Sequence, residues 1–274
     1  MIRTAATTGK YVSLTIGSLF ALVPIIVIVF ASMKTGTEYA NTGPLVPPEN
    51  WLNFGNFVTA FVKGKMLLGF ANTAFILVIS VTATILLGSM AAYALDRFEF
   101  RFKAGVFALF LMATLVPTVT TQVATYQVVN FFQLVNTHWA AIVLFAGTDI
   151  ISIYIFVQFM QSIPKSLDEA AMLDGASRFG VYWRVILPLL SPAIATVVII
   201  KGVAIYNEFY VPFLYLPSSE LAVISTSLSR FQGPFGAQWE VIAAGIMIVI
   251  VPTLIVFLLL QKYIYNGVTS GATK

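Results

Sequence analysis

Cysteine is absent from the 274-residue chain, and histidine occurs once, at His138. The first absence removes disulfides and thiolate metal sites, and the second removes any two-histidine zinc motif. Charge is scarce too. Asp, Glu, Lys and Arg make up 9% of residues against about 25% in an ordinary soluble domain, while 59% are apolar. Such a composition defines a membrane protein. There is no G-x-x-x-x-G-K-[ST] phosphate loop, so hydrolysis of ATP by this chain alone is excluded. The net charge of +4 is dispersed along the chain and reads as a topology signal, not a nucleic-acid footprint.

What the sequence does have is long apolar runs. Six of them are long enough to cross a hydrocarbon core of about 30 Å. They are Tyr11–Met33, Met66–Leu95, Ala104–Asn130, Trp139–Ser162, Leu189–Leu216 and Val241–Lys262. Continuous runs of this length predict helices, not the ten-residue alternating strands of a barrel. The first run lacks a small-residue cleavage site and continues through Pro24, so it reads as a retained helix. The expected fold is an all-α membrane protein with six transmembrane helices, forming one domain over residues 1–274 with a core at 66–262 and a polar tail at 263–274. Placing both termini inside puts ten Lys/Arg in the cytoplasm against four outside, which favours N-in, C-in. Pro24, Pro117 and Pro252 each interrupt a run. Thr84, Gly88 and Ala92 recur every fourth residue and allow a close helix approach, for which ordinary bundle packing suffices. Trp51 and Trp239 lie in the two longest outside segments and suit the headgroup layer.

Between the fourth and fifth runs lies "SIPKSLDEAAMLDGASRFGVYWRVILP", which holds six of the 26 charged residues. Pro164 ends a helix there. Ser166 is positioned to cap a new short helix, with Glu169 completing a capping box. Gly175 is the natural stop, and Ser177 caps a second helix whose Phe179, Tyr182, Trp183 and Ile186 form one apolar face that needs cover. By the charge count this cassette, residues 164–188, is cytoplasmic. Glu169 is open to two readings, a mere capping residue or a contact to a partner. Small Ala170 and Ala171 leave room for a partner to come close.

"EAAMLDGASRFGVYWRVILP" resembles the EAA loop of binding-protein-dependent ABC importer permeases. Glu169, Ala170, Ala171, Gly175, Val185, Leu187 and Pro188 fall in that motif's register. "SIPKSLDEAAMLDGAS", "YNEF" at Tyr206–Phe209 and the tail "QKYIYNGVTSGATK" are similar to the carbohydrate-type branch, although that branch commonly has Trp at the position of Tyr206. The resemblance implies a type I ABC importer fold in the bacterial inner membrane. It makes the cassette a coupling helix that docks on a separate ATPase through Glu169, Ala170, Ala171, Asp174, Gly175, Leu187 and Pro188. Implied partners are a second homologous permease, two ATP-binding-cassette subunits that bind ATP and Mg, and an extracytoplasmic solute-binding protein. This chain would hold no cofactor and no catalytic residue. The implied cargo is a sugar, with polyol or glycerol-phosphate import as the alternative, and the tail would reach between the ATPases or be a disordered end.

Asp149 and Lys201 are the charges hardest to keep within a span, each costing at least about 2.5–3.5 kcal/mol at mid-membrane. Counting 1.5 Å per residue from opposite ends of the fourth and fifth runs brings both near the midplane, which makes them an expected ion pair. Two readings stand for Asp149, the structural pair or a face on the translocation path. Tyr206, Asn207 and Glu208 are likewise either substrate-path residues or partners of neighbouring helices. Asp149 is the only acid in the middle of a span, so an intramembrane aspartyl dyad is missing, and a plain channel would not need the cassette.

Overall fold

A computed structural model describes residues 2–272 except 118, 148, 234 and 235; side chains are described for residues 7, 9–255 and 258. The described chain is helical apart from loops and one two-residue hairpin, β1 (Gln232–Gly233) with β2 (Gly236–Ala237). Contacts divide it into two compact units, Met1–Leu68 with Thr226–Ile255 and Gly69–Ser225 with Val256–Lys274.

In the first unit, α1 (Ile2–Met33) continues unbroken through Pro24. Its apolar side chains are largely exposed, Phe20 to 81%, as suits a helix facing lipid or another subunit. Two short helices follow, α2 (Gly36–Asn41) and α3 (Gly55–Lys63). Thr35 and Glu38 form a capping box on α2, and the buried Lys34 donates to Thr42 Oγ1 at 2.8 Å and Gly43 O at 3.0 Å. Trp51 and Trp239 are each half exposed.

The long helix α4 (Met66–Arg97) has no proline, and its buried positions Asn72, Ile76, Ser80, Thr84, Ser89, Ala92 and Leu95 recur every three to five residues. One stripe therefore faces protein along most of its length. Burial of apolar surface gains little against lipid, so close packing and hydrogen bonds must hold this stripe. Gly88 answers that need, because a Cβ there would already touch the Phe156 ring at 3.4 Å.

Hydropathy reads as continuous several spans that the backbone breaks. The third run becomes α5 (Lys103–Leu115) and α6 (Gln122–Phe131), because Val116, preceding Pro117, is forced into an extended conformation. The fourth becomes α7 (His138–Ala146) and α8 (Ile150–Met160), bent by 43° across Gly147 and Asp149. After the cassette helices α9 (Ser166–Leu173), α10 (Arg178–Val181) and α11 (Leu187–Leu189), the fifth becomes α12 (Ser191–Asn207) and α13 (Tyr210–Tyr215), parted by an extended Glu208. The short α14 (Ile224–Ser227) leads to the hairpin, and α15 (Trp239–Ala272) passes through Pro252. Thus α1 and α4 are long and apolar enough to cross a membrane as single helices, α7–α8 and α10–α12 are bent pairs, and α5 and Trp239–Ile255 are shorter apolar helices. The segment read as a tail continues α15 to Ala272; residues 273 and 274 lie outside the described residues.

Candidate coupling site and intramembrane charges

The cassette is anchored by its inner face and open on its outer one. Helix α9 starts one residue earlier than a Ser166 cap requires, with Lys165 at the N-cap and no side-chain cap bond, so the expected capping box is absent. A turn replaces it: Lys165 O accepts the amides of Asp168 and Glu169. At the other end the expected stop is a full Schellman motif. Gly175 N donates to Met172 O and Ala176 N to Ala171 O, both at 3.0 Å, with Gly175 at φ +86°. Nothing lies within 4 Å of a Cβ built there, so the left-handed backbone, not crowding within this chain, selects glycine.

Rotation of α9 separates its residues into two sets. Asp168 points inward, 7% exposed, and Ala171 packs on the core of Ala92, Phe156, Val181 and Ile186. Glu169, Ala170, Leu173, Asp174 and Gly175 point outward, Leu173 with 89% of its surface exposed. The inward anchor was not foreseen from the sequence. Arg97, at the end of α4, pairs through Nε with Asp168 Oδ2, holds Asp96 Oδ2 at 2.8 Å and donates from Nη2 to Ile163 O at 2.9 Å. Burial pushes the Asp168 carboxyl above its ordinary value, and Arg97 pulls the other way. Two further bonds tie α4 to the second cassette helix: Ser89 Oγ to Tyr182 OH at 2.8 Å, and Tyr93 OH to Arg178 O at 3.2 Å. A hollow of about 150 Å³ remains between α4 and α9, lined by Arg97, Lys165, Glu169 and Arg178 among others.

Ser177 caps α10 by accepting from Gly180 N at 3.2 Å. The expected four-residue apolar face is split, however. Residues Tyr182–Ile186 form a π turn, whose i→i+5 bonding shifts the phase of the helix. Val181, Tyr182 and Ile186 are buried, while Phe179 and Trp183 stay exposed and stack on each other at 6.4 Å. Leu187 is partly covered and Pro188 exposed in α11.

The structure brings Asp149 and Lys201 together. Lys201 Nζ lies 3.1 Å from Asp149 Oδ2, with the side chains 19% and 15% exposed. Ser152 Oγ donates to the same carboxylate oxygen at 2.7 Å, and Asp149 lines a cavity of about 210 Å³ with Thr84, Leu87, Gly88 and Phe110. The hydroxyl of Thr84 in that wall is buried without a hydrogen-bond partner among the described residues. Tyr206, Asn207 and Glu208 stand apart from this group, at the end of α12. Asn207 Nδ2 donates back to Val203 O at 2.9 Å, and Glu208 Oε1 accepts from Tyr210 N at 2.8 Å and Val211 N at 3.2 Å, stapling the start of α13. The Glu208 side chain thus serves its own chain break, while its carbonyl accepts from Ser225 Oγ in α14 at 2.6 Å.

A helical membrane chain with a short, two-faced helix clamped between its spans has the build of a transporter subunit that engages another protein. Residues 84–270 match the family described as binding-protein-dependent transport system inner membrane component, and the chain belongs to that family. It is 30% identical over 95% of both chains to the arabinooligosaccharides transport system permease protein AraQ of Halalkalibacterium halodurans. It is 31% identical to the melibiose/raffinose/stachyose import permease protein MelC of Bacillus subtilis, covering 92% of this chain and 91% of that one. In fold it is similar to a chain of a bacterial ABC transporter involved in the import of the acidic polysaccharide alginate, with a TM-score of 0.80, 22% identity and coverage of 94% and 95%.

Proposed function

We propose that this chain is one of two permease subunits of a bacterial ABC importer that moves a disaccharide or oligosaccharide into the cytoplasm by ATP-driven alternating access. The observation that carries the reading is the two-faced cassette: Asp168 is tied inward to Arg97, while Glu169, Ala170, Asp174 and Gly175 are presented outward on a terminated helix. Two ATP-binding-cassette subunits dock on that outward face, and ATP and Mg bind to them. Ala171 backs the helix from within, and Leu187 with Pro188 leads from the cassette into α12.

In this reading the chain crosses the inner membrane six times with both termini in the cytoplasm. The broken pairs α5–α6, α7–α8 and α12–α13 each count as one crossing, and breaks are tolerated where protein or a water-filled path lines them. An extracytoplasmic binding protein delivers the sugar to the side opposite the cassette. Asp149, beside its cavity, and Tyr206, Asn207 and Glu208, at the end of α12, are the substrate-path residues. Sugar as cargo is supported by the named substrates of AraQ and MelC. Reconstitution with the co-encoded partner permease, ATPase and binding protein, followed by uptake of labelled oligosaccharides, tests the whole. Uptake that needs ATP and the binding protein is expected; a substrate-independent pore current would refute it.

A further inference from the structure

We infer that α4 is a rod carrying movement of the cassette to the segment 220–224 on the far side of the membrane, with Asn72 the positioning residue at the rod's far end. The inference rests on the transporter reading above. Cassette contacts gather at one end of α4: Arg97 with Asp168 and Ile163 O, Tyr93 with Arg178 O, and Ser89 with Tyr182. The opposite end carries a matching set. Asn72 Nδ2 donates to both Glu220 O and Ala222 O at 2.9 Å, and Thr73 Oγ1 accepts from Ile224 N at 2.9 Å while donating to Gly69 O at 2.8 Å. Both amide hydrogens of Asn72 are spent on carbonyls, so its Oδ1 is the acceptor facing His138 Nε2 at 3.1 Å, which makes that nitrogen the donor.

These are buried groups, Asn72 at 7% and Thr73 at 5% exposure, and Asn72 Nδ2 and Thr73 Oγ1 converge on one short segment. Residues 220, 222 and 224 alternate toward α4, and Ser225 next to them donates to Glu208 O at 2.6 Å. Asn72 and Arg97, 25 residue steps apart, lie in one unbroken helix, so the two pins are roughly 38 Å apart along the axis and within about 20° of the same face. Helices with pinned ends move as units. A tilt of the cassette that drags Arg97 therefore shifts Asn72 and, through it, the chain that leads into the outer loop where the binding protein would dock. Reciprocally, docking there pulls on the cassette.

The test uses the complete importer with its ATPase and binding protein in lipid nanodiscs, comparing hydrolysis with and without loaded binding protein. Asn72→Leu keeps the branched shape and removes both donated bonds; Thr73→Val removes the acceptor for Ile224 N. Each is expected to leave assembly and basal hydrolysis within about twofold of wild type. Stimulation by the binding protein should fall about fivefold or more, a size usual for a coupling residue. Wild-type stimulation in Asn72→Leu overturns the inference. So does loss of assembly in both variants, the result of a merely structural pin, or normal stimulation in Thr73→Val when Asn72→Leu fails to assemble. If the wild-type complex itself shows no response to any binding protein, the transporter reading fails, and the rod with it.

Discussion

A carboxylate beside Lys201 inside the bundle is stabilised twice, by the ammonium at 3.1 Å and by the Ser152 hydroxyl at 2.7 Å. Removing one partner of such a pair leaves an uncompensated charge and costs about 3–5 kcal/mol. Asp149→Ala and Lys201→Ala should each lower stability of the purified complex by that order, whereas Asp149→Leu with Lys201→Leu should recover much of the loss. A denaturation cycle in detergent measures this, and strictly additive losses would refute a structural pair. A different sign governs Asp168. Its folded pKa stands above the ordinary 3.8, so the folded state holds its proton more tightly than the unfolded one. The stability it contributes is full below that ordinary value and declines as pH rises through the raised one. Asparagine is neutral throughout, so the melting temperature of the Asp168→Asn complex should rise relative to wild type as pH increases above 3.8. A wild-type advantage that grows with pH would mean that Arg97 outweighs burial.

Among the elements, α9 is defined by its ends more than by its interior. Its start has no side-chain cap, so its stop at Gly175 matters the more. An L residue at φ +86° costs about 1–2 kcal/mol, and open space around the Cβ means that no clash adds to it. Gly175→Ala should therefore loosen the last turn, seen as roughly 5–30-fold faster exchange of the amides at positions 175 and 176, with Gly175→Asn less affected. This stop was legible in the sequence, because a glycine after a short charged helix has a specific backbone use. The meeting of Asp149 with Lys201 was also within reach, since rise per residue fixes depth whatever the helix rotation. Rotation itself was not readable. Two adjacent acids, Asp168 and Glu169, differ only in which faces Arg97, 71 residues away in sequence. Nor was the phase shift at Tyr182–Ile186 readable, because a π turn has no side-chain signature and the 3.6 period was assumed through it. Hydropathy likewise cannot see the break at Gly147 and Asp149, where apolar residues flank it on both sides.

At the scale of the whole molecule, the chain concentrates its polar bonds where a moving subunit needs rigidity and leaves apolar surface where it meets lipid or partners. The exposed residues of the cassette fit the second category: Leu173 at 89%, Phe179 at 63% and Trp183 at 51% would be poorly placed in water alone. If they and the outward acids form the docking surface for the ATPase, charge reversal on that surface should separate assembly from folding. Glu169→Lys breaks no inward ion pair, since Arg97 reaches Asp168 and not Glu169. The variant should enter the membrane and melt within about 0.5 kcal/mol of wild type, as exposed substitutions usually do. Its co-purification with the ATPase should nevertheless fall by about tenfold or more, because a like charge facing a basic partner both loses attraction and adds repulsion. Phe179→Ala, on the neighbouring helix, separates the two possible covers. Loss of ATPase binding assigns Phe179 to the protein interface, and unchanged binding with weaker membrane retention assigns it to lipid. A Glu169→Lys permease that recovers wild-type amounts of ATPase and transports at the wild-type rate would show that the outward face of α9 is not where ATP hydrolysis enters this chain.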